Sequence, residues 1–147
     1  MVRIRKFFYL PAEEKMIFLR ALFLLVYIRF SLQFKQFKNV VGDVSKKAAA
    51  QNSAQKNNIL PARAANLLNA AGNILPYTTC LPRALAGSIL FSSLGYQTKL
   101  HIGVTRENGS MLEAHAWLTL DGSVVVGYRS DLDRYQQFQF SDLRTQK

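Results

Sequence analysis

The sequence predicts an α+β fold in which helices come first and an antiparallel β meander follows. Up to Gly95 the apolar segments are bounded by proline, glycine and capping residues, as is typical of helices. From Gln97 onwards apolar and polar residues alternate, as is typical of half-buried strands. A length of 147 residues predicts a single domain, residues 1–147. We divide it into a basic helical part, 1–58, and a core, 59–147.

The first long helix is predicted to start at "LPAEEK". Pro11 suits the first turn, and Glu13 and Glu14 suit the positive end of the helix dipole. The apolar run that follows has at most eight uncharged residues in a row, between Arg20 and Arg29. A membrane span needs about 20 apolar residues. We therefore predict a core helix; the alternatives are an interfacial helix and one that receives a partner.

The next segment, residues 46–58, is small and polar and lacks apolar periodicity. It is predicted to be a connection or a frayed helix. A short helix is predicted after it, with Pro61 at its start and Gly72 just past its end.

The sole cysteine, Cys80, is predicted to lie at a helix N-terminus. Thr78 or Thr79 can cap that helix, and Pro82 is tolerated in its first turn. Gly95 is expected to close it. The thiol is thus placed beside free N–H groups at the positive end of a helix dipole.

Three strands are predicted after this helix. Residues 97–105 form the first and residues 111–120 the second. Asp121 and Gly122 make a tight turn into the third, residues 123–128.

The charge of the chain is uneven. Of a net +10, residues 1–63 carry +9, from twelve Lys and Arg against three acids, and the remainder carries +1. A basic first half indicates an acidic partner, an anionic membrane surface or nucleic acid. A single cysteine excludes an internal disulfide framework and a cysteine-rich zinc site. No secretory signal is recognisable, so we expect a cytoplasmic protein, with peripheral contact at the inner membrane surface as an alternative.

Cys80 and His115 together suggest nucleophilic catalysis. A helix N-terminus favours the thiolate, and its N–H groups can hold an oxyanion. A histidine on the following sheet can meet such a cysteine in space, which is the chain order of papain-like chemistry. The structural alternative is a small buried Cys80 and a structural His115.

Three blocks add a resemblance: "CLPRALA", "LGYQTKLHIGV" and "EAHAWLTLDG". The chain resembles the leader peptidases of lasso peptide biosynthesis, which are transglutaminase-like cysteine proteases and the protease half of the split B proteins. The resemblance implies that Cys80 is the nucleophile and His115 the base. It also implies a precursor peptide as substrate, and a separate leader-recognition protein and an ATP-dependent cyclase as partners. We expect no cofactor, no metal and no nucleic acid.

The third catalytic group departs from that family. The family usually has Asp or Glu twelve residues after the histidine, where this chain has Gly127. We predict Asp131 as the orienting acid. The alternatives are Asp133, the Tyr128 hydroxyl and a backbone carbonyl.

Asp121 is not predicted as the orienting acid, because it lies too far from His115 along the strand. It lies six strand residues from His115, or about 20 Å at 3.3 Å per residue. If Leu120 pairs with Ser123, His115 lies opposite about Tyr128.

Arg83, His101 and Trp117 are predicted to bind substrate, each with a structural alternative. Arg83, one turn after Cys80, anchors the helix start or binds the peptide. His101 lies across the hairpin from His115 if the register is short. Trp117 shares the strand face of His115 and either walls the cleft or packs in the core.

Three other functions stay open. An acyltransferase on the same scaffold uses an amine in place of water. A basic membrane- or nucleic-acid-binding domain would leave Cys80 buried. A metal site of Cys80, His101 and His115 has only three ligands.

Overall fold

The computed structural model describes residues 2–51, 58–107 and 111–137. The helices in these residues are α1 (Val2–Phe8), α2 (Ala12–Phe34), α3 (Phe37–Ala50), α4 (Pro61–Ile74) and α5 (Cys80–Ser93). The strands are β1 (Lys99–Glu107), β2 (Met111–Leu120), β3 (Ser123–Val126) and β4 (Gln136–Gln137), with a short 3-10 helix at Leu132–Arg134. Helices followed by an antiparallel sheet confirm the predicted α+β class.

The sheet has the order β3-β2-β1-β4, and every pairing in it is antiparallel. The turn between β2 and β3 has positive φ at both central residues, +50° at Asp121 and +84° at Gly122, as a type I′ turn requires. Strand β4 was not predicted, because two polar residues carry no alternating pattern.

The register corrects the predicted place of His101. The residue opposite His115 is Gly103, and His101 lies opposite Trp117, two positions further along β2. Leu120 pairs with Ser123 as expected, but a bulge shifts the pairing between Thr119 and Leu118.

Helix α4 corrects the predicted helix end at Gly72. The helix starts at Pro61, as predicted, but it runs through Gly72 to Ile74. A Cβ at position 72 would lie 2.9 Å from Nε of Arg83. This glycine therefore permits close approach of the α5 arginine and does not stop the helix.

The first part of the small polar segment 46–58 is helical, since α3 continues to Ala50. The remainder of that prediction falls mainly on residues 52–57, which lie outside the described residues.

Helix α2 packs on α4 and α5, and α5 packs in turn on β2. The α2 side chains buried in this core are those of Ile17, Phe18, Ala21, Leu24, Leu25 and Ile28. The predicted core role of α2 thus holds for one side of the helix. By length and composition α2 would also be able to span a membrane, although 28% of its apolar stretch is buried in the domain.

Candidate active site

Cys80 is the first residue of α5, and its side chain is half-buried. Thr79 is the N-cap, but its hydroxyl makes no capping hydrogen bond to the helix. Pro82 has no N–H, so the donors at this end are the N–H groups of Cys80 and Leu81. They point out of the helix end, where a negative oxygen would be stabilised.

Two arginines hold the loop that precedes Cys80. Arg29 of α2 donates from Nη1 to the Tyr77 carbonyl oxygen at 3.0 Å, and Arg83 of α5 donates from Nε to the Thr78 carbonyl oxygen at 3.2 Å. Tyr77 has a φ of +61°, a conformation that non-glycine residues rarely adopt. Because successive carbonyls are fixed from two helices, the approach of the chain to Cys80 is fixed as well.

Arg83 makes further contacts with α4. Its Nη2 donates to Oδ1 of Asn73 at 2.9 Å, and its Nη1 lies 3.5 Å from Oδ1 of Asn69. Of the two roles considered for Arg83, these contacts fit the anchor, because the guanidinium ties the start of α5 to α4.

An open cleft of about 240 Å³ lies beside this loop. It is bounded by α2 on one side and the start of α5 on the other, with Arg29, Leu32, Tyr77, Thr79 and Pro82 among its walls. Thr79 and Leu81, the two chain neighbours of Cys80, line the cleft, whereas Cys80 itself does not.

His115 lies in the middle of β2, and 9% of its surface is exposed. Its Nε2 donates a hydrogen bond of 2.7 Å to the carbonyl oxygen of Gly127. Its ring packs on Trp117 and Tyr135, with centroids 5.9 Å and 5.7 Å away. Nδ1 makes no hydrogen bond to any described residue, so the tautomer protonated on Nε2 leaves Nδ1 as a base.

Gly127 therefore supplies its backbone where a carboxylate was expected. A Cβ at this position would lie 2.7 Å from the Ala116 carbonyl oxygen and 3.0 Å from Cβ of Trp117. The φ of Gly127 is +79°, which turns the chain across β2 and aims the carbonyl at His115. An acidic side chain does not fit this backbone.

Asp131, predicted as the orienting acid, has a different partner. Arg129 binds both oxygens of its carboxylate, at 2.9 Å and 3.2 Å, and holds the pKa of Asp131 below its usual value. Arg129 also donates to Glu113 of β2 at 2.8 Å. The contacts thus place a backbone carbonyl, one of the alternatives left open, at Nε2 of His115. Asp121, Asp133 and Tyr128 are exposed side chains.

His101 belongs to the same aromatic cluster as His115 but has both ring nitrogens occupied. Nδ1 donates to Oε1 of Gln137 at 2.7 Å, and Nε2 lies 2.8 Å from Oγ1 of Thr119. Its ring stacks on Trp117 at 5.4 Å. Trp117 itself is 3% exposed and joins the two histidines.

The elements that carry Cys80 and His115 are in direct contact. At Gly87, two turns after Cys80, a Cβ would lie 2.9 Å from Leu118 of β2, so α5 and β2 approach closely. Among the described residues no hydrogen bond joins Cys80 to His115, and no group of three or more His, Cys, Asp and Glu side chains is placed to hold a metal ion.

Sequence reasoning missed the support of His115. Tyr135 is 5% exposed and packs on His115, and the Arg129 guanidinium lies 5.6 Å over the Tyr135 ring. Burial and the neighbouring Glu113 carboxylate raise the pKa of Tyr135. The sequence signal for this role was Tyr135 itself, because it is the sole aromatic residue in the largely polar segment "DLDRYQQ".

Comparison with known proteins gives one match and two negative results. Searches of curated proteins and of solved structures found no significant match. Residues 24–139 match the Transglut_core3 family, described as the transglutaminase-like superfamily. The match includes both Cys80 and His115 and crosses the predicted division at residue 58. Because it covers most of the 147 residues, the chain belongs to the transglutaminase-like superfamily, which fits a cysteine protease or a transglutaminase-type acyltransferase.

Proposed function

We propose that the chain is a cysteine endopeptidase that removes the leader from a ribosomally made lasso-peptide precursor. The observation that carries the proposal is the position of Cys80 at the start of α5, a helix that packs on the strand of His115. The free N–H groups at a helix start are donors for the oxyanion that forms when a thiol attacks a carbonyl group. The tautomer of His115, fixed by the Gly127 carbonyl, leaves Nδ1 to take the thiol proton.

The acylation step uses these groups in order. Nδ1 of His115 takes the proton of Cys80, and the sulfur attacks the carbonyl carbon of the scissile peptide bond. The oxyanion that forms is held by the N–H groups at the start of α5. When the intermediate collapses, the C–N bond breaks and the leaving amine takes the proton from His115. Catalytic hydrogen bonds often form only in the substrate complex, so a direct Cys80–His115 bond is not needed beforehand.

Water completes the reaction. His115 takes a proton from a water molecule, the hydroxide attacks the thioester, and the Cys80 thiol leaves with a proton from His115. An amine in the place of water would give a new amide and make the chain an acyltransferase. The family fits both outcomes.

The substrate class rests on the three sequence blocks around Cys80, His101 and His115 and their resemblance to the leader peptidases. The same resemblance supports a separate leader-recognition protein and a cyclase as partners in the cytoplasm. The cleft beside Tyr77 and Thr79 is open at the surface and suits an extended peptide.

The test needs a precursor peptide and a recognition protein, which are to be sought in the reading frames that neighbour this chain. Cleavage of the precursor is then followed by mass spectrometry. The purified chain, together with the neighbouring recognition protein, should give two fragments whose masses sum to the precursor plus one water. A fragment joined to an added amine would instead establish the acyltransferase.

Two variants complete the test. Cys80→Ala should abolish cleavage with an unchanged circular dichroism spectrum. His115→Ala should do the same, whereas His101→Gln, the matched histidine control, should keep activity within about tenfold of the parent. Cleavage retained by a clean Cys80→Ala preparation excludes the proposal.

A further inference from the structure

One side of α2 is apolar although it faces outwards. Met16, Phe23 and Phe34 are 68%, 70% and 81% exposed, and Leu19 and Phe30 are about half exposed. Spacings of three, four and seven residues place all five on one side of the helix, opposite the side buried in the core. We call this side the outer face of α2; it is about 27 Å long at 1.5 Å per residue.

Basic side chains border the outer face. Lys15 and Arg20 lie on its two flanks by helical periodicity, and Glu13 lies on the Arg20 side. Arg5 and Lys6, in the preceding helix α1, are exposed. With +9 over residues 1–63, this half of the molecule is complementary to an anionic surface.

We propose that the outer face of α2 binds the surface of an anionic lipid bilayer, with the helix lying in the plane of the interface. Phe, Leu and Met on one side, with Lys and Arg along its edges, are the side chains that an interfacial helix presents to a bilayer. The opposite side of α2 is also apolar, but the rest of the domain covers it. Such a helix enters the headgroup and acyl boundary by about 5–10 Å, deep enough for Phe23 and Phe34.

The charge of the chain disfavours a second copy of it as the occupant of this face. Two copies of this chain, each with net +10, would repel each other on approach. The outer face is the convex side of a single helix, and it meets a continuous apolar layer along its whole length. The other side of α2 stays packed on α4 and α5, so binding leaves the fold as it is.

Co-sedimentation with vesicles tests the proposal on the whole chain. Vesicles of equal parts phosphatidylcholine and phosphatidylglycerol should bind it, vesicles of phosphatidylcholine alone should bind it much more weakly, and 1 M salt should release much of the bound protein. Equal binding to both vesicles, or binding to neither, overturns the proposal.

Two apolar double variants locate the contact. Phe23→Ser with Phe34→Ser should weaken binding at least about a hundredfold, because each phenylalanine contributes about 1.5–3 kcal/mol on burial. Leu60→Ser with Leu112→Ser removes two other exposed apolar side chains and should change binding little. Equal loss in both pairs contradicts the assignment to α2.

Two charge double variants test the electrostatic part without touching the apolar side chains. Lys15→Gln with Arg20→Gln should lower binding to the anionic vesicles about thirtyfold, since each basic residue near such a surface contributes about 1 kcal/mol. Lys99→Gln with Arg106→Gln, exposed on β1, is the matched control. Sedimentation equilibrium without lipid completes the test: a dimer abolished by the two serine substitutions at Phe23 and Phe34 would show that a second copy covers the face and would overturn the proposal.

Discussion

Nε2 of His115 lies 2.7 Å from the carbonyl oxygen of Gly127, the residue twelve positions further along the chain. The same distance in sequence usually separates the histidine from an acid in the lasso leader peptidases that the chain resembles. In this chain the group at that distance is a main-chain carbonyl. The carbonyl fixes the ring and its tautomer, but it brings no full negative charge to the imidazolium.

We expect that an acid cannot be restored by Gly127→Asp. The positive φ costs a non-glycine residue about 1–2 kcal/mol, and the added Cβ would meet the Ala116 carbonyl oxygen at 2.7 Å. Gly127→Ala and Gly127→Asp should both lower the midpoint of thermal unfolding and reduce cleavage. Gly122→Ala is the matched control, because its φ is +84° but nothing lies within 4 Å of its Cβ. Gly122→Ala should lose only the stability that a positive φ costs. Equal losses of stability at Gly122 and Gly127 would therefore contradict the steric clash inferred at Gly127.

Asp121→Asn should leave cleavage within about threefold of the parent and the unfolding free energy within about 0.5 kcal/mol. Asp121 has a φ of +50° in the type I′ turn, where asparagine is equally suited. Its side chain is exposed, and the residue follows the end of β2, six positions along the chain from His115. A loss of activity of several hundredfold in a folded variant would show that Asp121 reaches the histidine.

The start of α5 and the bounds of β2 could be predicted, because local signals determine them. Thr79, Pro82 and Gly95 mark one helix from its cap to its end, and alternation marks the strand. The partner of His115 could not be predicted in the same way. The bulge between Leu118 and Thr119, and the end of β3 before Gly127, depend on pairing between strands.

Long-range contacts account for the remaining differences. Gly72 has the sequence signature of a helix end, but the Arg83 side chain from another helix decides its role. The apolar run in α2 was predicted to lie in the core. Only one side of the helix does so, because α4 and α5 pack on that side alone. The periodicity of a sequence can show that a helix has an apolar side. It does not show how many other elements pack against that helix.

Arg83→Ala should lower kcat with little change in KM if Arg83 acts through the loop before Cys80. The Thr78 carbonyl and Asn73 would lose their donor, and the thiol would lose its fixed position. Asn73→Ala, which leaves Arg83 in place, should show a smaller effect of the same kind. A rise in KM with kcat unchanged would instead assign Arg83 to substrate binding, the other role that the sequence allows.

Glu14→Gln should destabilise the fold at neutral pH by up to about 1 kcal/mol, because Arg63 binds both carboxylate oxygens at 2.9 Å and 2.6 Å while staying partly exposed. The hydrogen bond from Arg63 lowers the pKa of Glu14 below 4.5. This stability is present above pH 4.5 and is lost as the pH falls through the folded pKa, so the difference between parent and variant should vanish in acid. Glu13 lies in the same first helical turn but does not bind Arg63, so Glu13→Gln should lower the unfolding free energy less. The measurement is urea unfolding across a pH series.

The isolated protein should cut free precursor poorly, and the separate recognition protein should raise the rate. This prediction rests on the proposed function, in which a separate protein recognises the leader. The basic first half, +9 over residues 1–63, is the expected docking surface for an acidic leader or for its complex with the recognition protein. Part of that attraction is electrostatic, so cleavage at subsaturating substrate should weaken as salt approaches 1 M, where the screening length falls to about 3 Å.

The assay compares rates of cleavage with and without the recognition protein across a salt series in lipid-free buffer. Lys15→Gln with Arg20→Gln should flatten the salt dependence, and Lys99→Gln with Arg106→Gln should not. Full activity of the isolated chain, unchanged by partner and salt, would refute both split recognition and the basic docking surface while leaving the protease itself established.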